Sequence, residues 1–175
     1  LSSKPISLSY KVKEQARGII RPEIDVHFYI DPKHATLLEV VNAMSADDPQ
    51  NVMLVGPQGC GKTELAVWFA AKYSRPLIIM NCATIREAKD WFGFRDAKAG
   101  TLSWHKSEFV RALELGTAVV LMDEFNRLPT TLHNTLYPLL DARRATFVED
   151  LEECVKVGPG TVFFATANIG VQHTG

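Results

Sequence analysis

Eight consecutive residues, Gly56-Pro57-Gln58-Gly59-Cys60-Gly61-Lys62-Thr63, restrict what this chain can fold into more than any other stretch. A short apolar run, Asn51-Val52-Met53-Leu54-Val55, leads into them, and a run of helix formers, Glu64 to Lys72, follows. Strand, glycine-rich turn and helix in that order make a phosphate cradle. Glycine at 56, 59 and 61 lets the backbone curl and aim its N–H groups inward, which side chains would hinder. The helix contributes its unpaired first-turn amides, Glu64 among them, and the positive end of its dipole. Lys62 brings a full charge to the β- and γ-phosphates, and Thr63 offers a hydroxyl to Mg²⁺.

A second hydrophobic run, Ala118 to Met122, ends in two acids, Asp123-Glu124, sixty residues beyond Thr63. Ligands bind at the carboxyl ends of strands in parallel sheets, so a buried strand would hold both carboxylates where a nucleotide lies. Asp123 is placed to bind Mg²⁺ through its water shell, because that ion gives up water reluctantly. Glu124 is placed to orient or deprotonate an attacking water. Asn168, reading as two residues past a strand Thr161–Thr166, can reach the γ-phosphate and that water. Asn81, at the end of a strand Leu77–Met80, can hydrogen-bond Glu124 and hold it inactive until a partner moves it.

Between these motifs the pattern alternates. Residues 1–33 read as an N-terminal extension, with Ile24–Ile30 a strand or extended segment between Pro22 and Pro32. Helices are expected over His34–Met44, Glu64–Lys72, Ala83–Trp91, Ser107–Leu115 (stopped by Gly116) and Thr130–Leu140. The last buries Leu132, Leu136, Leu139 and Leu140. Residues 92–104 read as a loop or small hairpin, and Arg143–Val157 as a β-hairpin. Strands alternating with helices imply βαβ crossovers, hence an α/β fold with a parallel sheet flanked by helices.

Together the Gly56–Thr63 loop, Asp123-Glu124 and Phe164-Ala165-Thr166-Ala167-Asn168 resemble the Walker A, Walker B and sensor 1 motifs of the AAA+ ATPases. Asp123-Glu124-Phe125-Asn126-Arg127 is similar to the signature of the MoxR and dynein-related, helix-2-insert branch. The stretch 93–104 and the hairpin 143–157 are similar to that branch's inserts. Asn81-Cys82-Ala83 resembles the family's glutamate switch, and Arg21-Pro22-Glu23-Ile24-Asp25 is similar to the cobaltochelatase ATPase subunits (CobS). The resemblance implies a sheet ordered 5-1-4-3-2, of which four strands fall in residues 34–175. The fifth strand, the arginine-finger segment and the helical lid would be missing. None of Arg127, Arg143 and Arg144 matches a finger motif, and each reads equally as a solvated surface charge.

The resemblance also implies catalytic Glu124, Asn168 and Asn81, and nucleotide contacts from 56–64 and Asp123. Mg²⁺ would sit on Thr63 and Asp123. ATP would be hydrolysed by a homo-oligomeric ring, a hexamer, to remodel a partner protein or drive metal insertion, with a von Willebrand A-type protein as a partner. The rivals are a DNA-associated motor and a non-hydrolysing assembly module. A formal net charge of −1 gives no basic field for nucleic acid, and Glu124 speaks against the module. No apolar run nears the ~18 residues of a membrane span, and the N-terminus lacks a signal-peptide layout. Cys60, Cys82 and Cys154 are scattered and read as thiols of a reducing cytoplasm. The five histidines form no ligand pattern.

Overall fold

The computed structural model describes residues 18–98 and 101–168. Helix α1 (Pro32–Met44) leads to strand β1 (Val52–Gly56), helix α2 (Lys62–Lys72) and strand β2 (Leu77–Asn81). Then come helix α3 (Ala88–Phe92), the hairpin strands β3 (Gly93–Lys98) and β4 (Thr101–Lys106), helix α4 (Glu108–Leu115) and strand β5 (Val119–Asp123). A 3₁₀ turn (Phe125–Arg127), helix α5 (Thr130–Leu140), the second hairpin of β6 (Ala145–Val148) and β7 (Glu153–Lys156), and strand β8 (Val162–Asn168) complete the order.

The main sheet is parallel and runs β1-β8-β5-β2. That is the order 1-4-3-2 the family resemblance implied, with β1 at one edge. The central strands are apolar on both faces because both are covered. On β5, Val119 and Leu121 face one cluster with Phe69, Ala70 and Leu38, while Val120 and Met122 face the other with Phe109, Leu113 and Leu136. On β8, Val162 and Phe164 face the first cluster, and Phe163 and Ala165 the second. The period of two thus divides one sheet between two cores. Helices α1 and α2 close one face, α3 to α5 and the hairpins the other.

Several boundaries differ from the sequence reading. Ile24–Ile30 forms no strand. Asp25 instead closes a turn, its carboxylate accepting from the His27 amide (2.9 Å) and its carbonyl from Phe28 (3.1 Å). The extended contact falls earlier, where Ile20 exchanges two 2.8 Å backbone hydrogen bonds with Leu77. The helix expected over Ala83–Trp91 shortens to α3, since Glu87 and Asp90 form a capping box that starts it late. Strands β3 and β4 pair antiparallel where a loop or small hairpin was expected. Leu140 is only partly buried, at the end of α5. Asn168 is the last residue of β8, not beyond it, because it pairs with Gly56 in the β1 ladder. Arg144 is not a solvated charge: it is half-buried, donates to the Thr161 carbonyl (2.7 Å) and lies over the Phe163 ring (5.1 Å). Arg143 chelates Asp141 on the surface. Among the described residues no helix is long and apolar enough to cross a membrane.

Arg95, on β3, joins the two hairpins by pairing with Glu152 (3.0 Å) and Glu153 (3.1 Å). A second arginine ties the amino-terminal side of the sheet. Half-buried Arg75 donates to Asn42 Oδ1 (2.9 Å), Ser45 Oγ (2.8 Å) and the carbonyls of Gly160 (2.6 Å) and Thr117 (3.3 Å). One planar fork thereby links the end of α1 to the segments entering β5 and β8. Removing it strands several half-buried acceptors, so Arg75→Met should lower the unfolding free energy by roughly 2–4 kcal/mol. Denaturant titration checks this, and an unchanged midpoint would contradict the anchoring role.

Candidate functional site

β1 ends at Gly56, and the chain turns back over its own end. Gly59 (φ 81°) and Gly61 (φ 85°) occupy the left-handed region that favours glycine. A Cβ on Gly56 would come within 2.9 Å of Cys60 Sγ, so a side chain there would require the exposed Cys60 thiol to turn aside. Gly61 is the N-cap of α2 and provides no side-chain cap. The first-turn amides of α2 therefore lack a capping side chain, which suits an anion. Lys62 Nζ folds over the loop and donates to the carbonyls of Pro57 (2.7 Å) and Gly56 (3.0 Å).

Asp123 ends β5, and two hydroxyls converge on its carboxylate. Thr63 Oγ1 donates to Asp123 Oδ1 (3.3 Å), and Thr166 Oγ1, on the neighbouring β8, donates to the same oxygen (2.6 Å). Thr166 Oγ1 also accepts the amide of Glu124 (2.9 Å). Glu124 sits in the left-handed region (φ 55°, ψ 43°), an uncommon place for a residue with a Cβ. Its carboxylate lies 3.6 Å from exposed Arg127, on the 3₁₀ turn that follows. The oxygen donors on Thr63 and Asp123 are the type a hard cation takes.

A cavity of about 140 Å³ brings most of the sequence-predicted residues together. It is lined by Gln58, Gly59, Gly61, Lys62, Thr63, Glu64, Asp123, Glu124, Thr166 and Asn168. Cys60 faces a second, larger cavity of about 540 Å³, which also touches Gly61, Lys62 and Leu65. Its far wall is Phe28, Tyr29, Asp31 and His34, none of which the sequence patterns marked. A Cβ on Gly61 would approach the Phe28 ring to 3.7 Å. Gly56 and Pro57 contribute backbone to the loop and line neither cavity. Asn81 pairs by register with Asp123, yet its side chain is exposed and its Oδ1 accepts the Ala83 amide (3.0 Å) in an Asx turn rather than a bond to Glu124. Thr166 joins the cavity although the sequence pattern assigns it no role of its own. The available signal was a hydroxyl inside an otherwise apolar strand, two residues before Asn168.

Cys82 follows Asn81 and donates its amide to the Asp123 carbonyl (2.9 Å). It is fully buried, and burial, with the Asp123 and Glu124 charges adding, pushes its thiol up to about 12. The thiolate is the reactive form. At pH 8 native alkylation followed by mass spectrometry should therefore label exposed Cys60 and Cys154 and spare Cys82. Raising the pH through 9 should not expose Cys82, whereas unfolding should. Labelling of Cys82 at the rate of Cys60 would contradict this packing.

Residues 51–173 match the family model of the AAA domain, dynein-related subfamily. The chain is 31% identical over 156 residues to the putative chaperone BssE of Thauera aromatica, covering 88% of this chain and 54% of BssE. It is 32% identical over 162 residues to the protein NorQ of Paracoccus denitrificans (strain Pd 1222), covering 93% of this chain and 57% of NorQ. The chain thus spans about half the length of these curated relatives. Among solved structures, a closed-state cryo-EM reconstruction of Hsp104 with ATPγS and FITC casein superposes with a TM-score of 0.58. It covers 94% of this chain and 28% of that one at 18% identity, a likeness of fold. A glycine cradle at the end of β1, an acid pair at the end of β5 and a parallel 1-4-3-2 sheet agree with these matches, and the chain belongs to the dynein-related, MoxR-like branch of the AAA+ ATPases.

Proposed function

We propose that this chain is the nucleotide-binding core of an oligomeric ATPase that hydrolyses ATP and uses the cycle to remodel a partner protein. The observation that carries the reading is the convergence of Lys62, Thr63, Asp123, Glu124 and Asn168 on one small cavity at the carboxyl ends of the strands. Coarser support comes from the family itself, whose fold implies nucleotide binding.

In this reading the amides of 59–63 and the Lys62 ammonium hold the phosphates, and the ammonium exchanges its two loop carbonyls for phosphate oxygens. The apolar cavity beside Phe28 and Leu65 takes the base and ribose. Thr63 and Asp123 hold Mg²⁺, which when bound offsets charge on the phosphates. Glu124 takes a proton from the attacking water or orients it, and Asn168 hydrogen-bonds the γ-phosphate. Asn81 leaves the Ala83 amide to bond Glu124 in the restrained state, so a partner that moves β2 releases the base.

A neighbouring subunit in a ring supplies an arginine to the γ-phosphate. Such a group is worth about a thousandfold or more in rate. The client is a protein, in line with a relative described as a putative chaperone and with casein in the Hsp104 reconstruction. A von Willebrand A-type partner and metal insertion of the cobaltochelatase kind are the finer forms of this proposal.

Two variants of the native full-length protein test it. Lys62→Ala should abolish nucleotide binding in calorimetry. Glu124→Gln should keep nucleotide affinity while turnover falls by roughly a hundredfold or more, the scale of losing a general base. Parental turnover in Glu124→Gln would remove Glu124 from its role. In the parent, specific activity should climb steeply with protein concentration as the ring assembles. A rate per subunit independent of concentration, at a monomer's mass by light scattering, would contradict the ring.

A further inference from the structure

Thr166 is 1% exposed, on a strand whose neighbours Phe163, Phe164 and Ala165 are all core. A threonine hydroxyl has one proton to donate and lone pairs to accept with. Here the proton goes to Asp123 Oδ1 at 2.6 Å, a length typical of a hydroxyl on a charged acceptor, and a lone pair takes the Glu124 amide at 2.9 Å. One buried atom therefore fixes two things at once. It orients the Asp123 carboxylate toward Thr63, which donates to the same oxygen. It also holds the backbone of Glu124 in the left-handed conformation that its Cβ disfavours.

The geometry points to Thr166 as a positioning residue that sets the metal-holding acid and the water-activating acid in one register. We infer that without this hydroxyl the two acids lose their mutual alignment although each is still present. This inference rests on the hydrolase reading above. Thr166 need touch neither nucleotide nor water. It acts through Asp123 and Glu124, as the outer partners of metal-site ligands do. Because β8 also carries Asn168 two residues on, any shift of β8 against β5 would displace Asn168 relative to Asp123 and Glu124.

The test compares four forms of the full-length protein: parent, Thr166→Ser, Thr166→Ala and Thr166→Val. Serine keeps both hydrogen bonds and loses the methyl. Alanine loses methyl and hydroxyl, so the Ser–Ala pair isolates the hydroxyl even if valine fails to fit. Three readouts are taken: ADP affinity without divalent cation, Mn²⁺ affinity of the ADP-bound protein by electron paramagnetic resonance, and kcat and KM for ATP with Mg²⁺. Cation-free ADP affinity serves as the check on folding and should match the parent throughout. In Thr166→Ala and Thr166→Val, Mn²⁺ affinity and kcat should each fall by ~10–100-fold, with KM little changed. Thr166→Ser should return both to near the parent.

Thr166→Ala with parental Mn²⁺ affinity and kcat would overturn the inference. So would Thr166→Ser as impaired as Thr166→Ala, which would assign the effect to packing of the methyl group. A parent that shows no turnover, and no difference from Glu124→Gln, would overturn the hydrolase reading and this inference with it. A parent that turns over normally beside an unaffected Thr166→Ala overturns this inference alone.

Discussion

The structure depends on parallel hydrogen-bonded register among four strands. β1, β8, β5 and β2 run the same way, with Gly56 opposite Asn168, Met122 opposite Ala165 and Asn81 opposite Asp123. The strand ends therefore stand side by side, Asn81 and Asp123 level with Thr166, and Gly56 and Asn168 further along at the end of their own pair. Nothing in Gly56, Asn168, Asp123 or Asn81 alone creates a site. Their alignment follows from burying Val119–Met122 and Val162–Ala165 on both faces, which leaves polar residues room only past the core. A one-residue slip of β8 would turn Thr166 to the opposite face and separate it from Asp123.

Within that row the local electrostatics are built from few groups. Thr63 and Thr166 both donate to one oxygen of Asp123, from α2 and β8 respectively. Hydrogen bonds to an ionised acceptor in a partly buried setting are among the stronger ones available to a fold. They fix the direction of the carboxylate that a hard cation would take. On the far side of the row, Cys82 is the counter-example. Its thiol faces the same two acids from a dry position, and both burial and their charge keep it protonated.

How much of this the sequence disclosed depends on how local each feature is. The cradle was legible because strand, glycines, lysine and helix are contiguous, and their physics is complete within about twenty residues. The acid pair was legible only through its place after the cradle, since an apolar run ending in two acids would by itself read as a capped strand. Thr166 was not, since its two bonds cross from β8 to β5 over more than forty positions and exist only once those strands are adjacent. The wall of the larger cavity was hidden for a similar reason. Ile24–Ile30 alternates weakly enough to suggest a strand, yet the Asp25 side chain closes a turn that delivers Phe28 to the cradle. Asn81 shows a third kind of limit. The spacing suggested a bond to Glu124, whereas the Asn81 side chain accepts the Ala83 amide beside it, a choice that spacing does not encode. The Arg95 bridge between the hairpins joins positions 57 and 58 residues apart and had no sequence signal.

The central claim is that the end of the parallel sheet is a single nucleotide and cation site set by Thr63, Asp123 and the cradle. The most direct measurement is a crystal structure with a slowly hydrolysed ATP analogue and Mn²⁺, the cation located by its anomalous signal. The account predicts triphosphate density along Gly59 to Thr63. It also predicts an anomalous peak in contact with Thr63 Oγ1 and facing Asp123, with Glu124 and Asn168 turned toward the terminal phosphate. A cation peak away from Thr63 and Asp123, or nucleotide bound outside the cradle with Lys62 still on the Gly56 and Pro57 carbonyls, would contradict it.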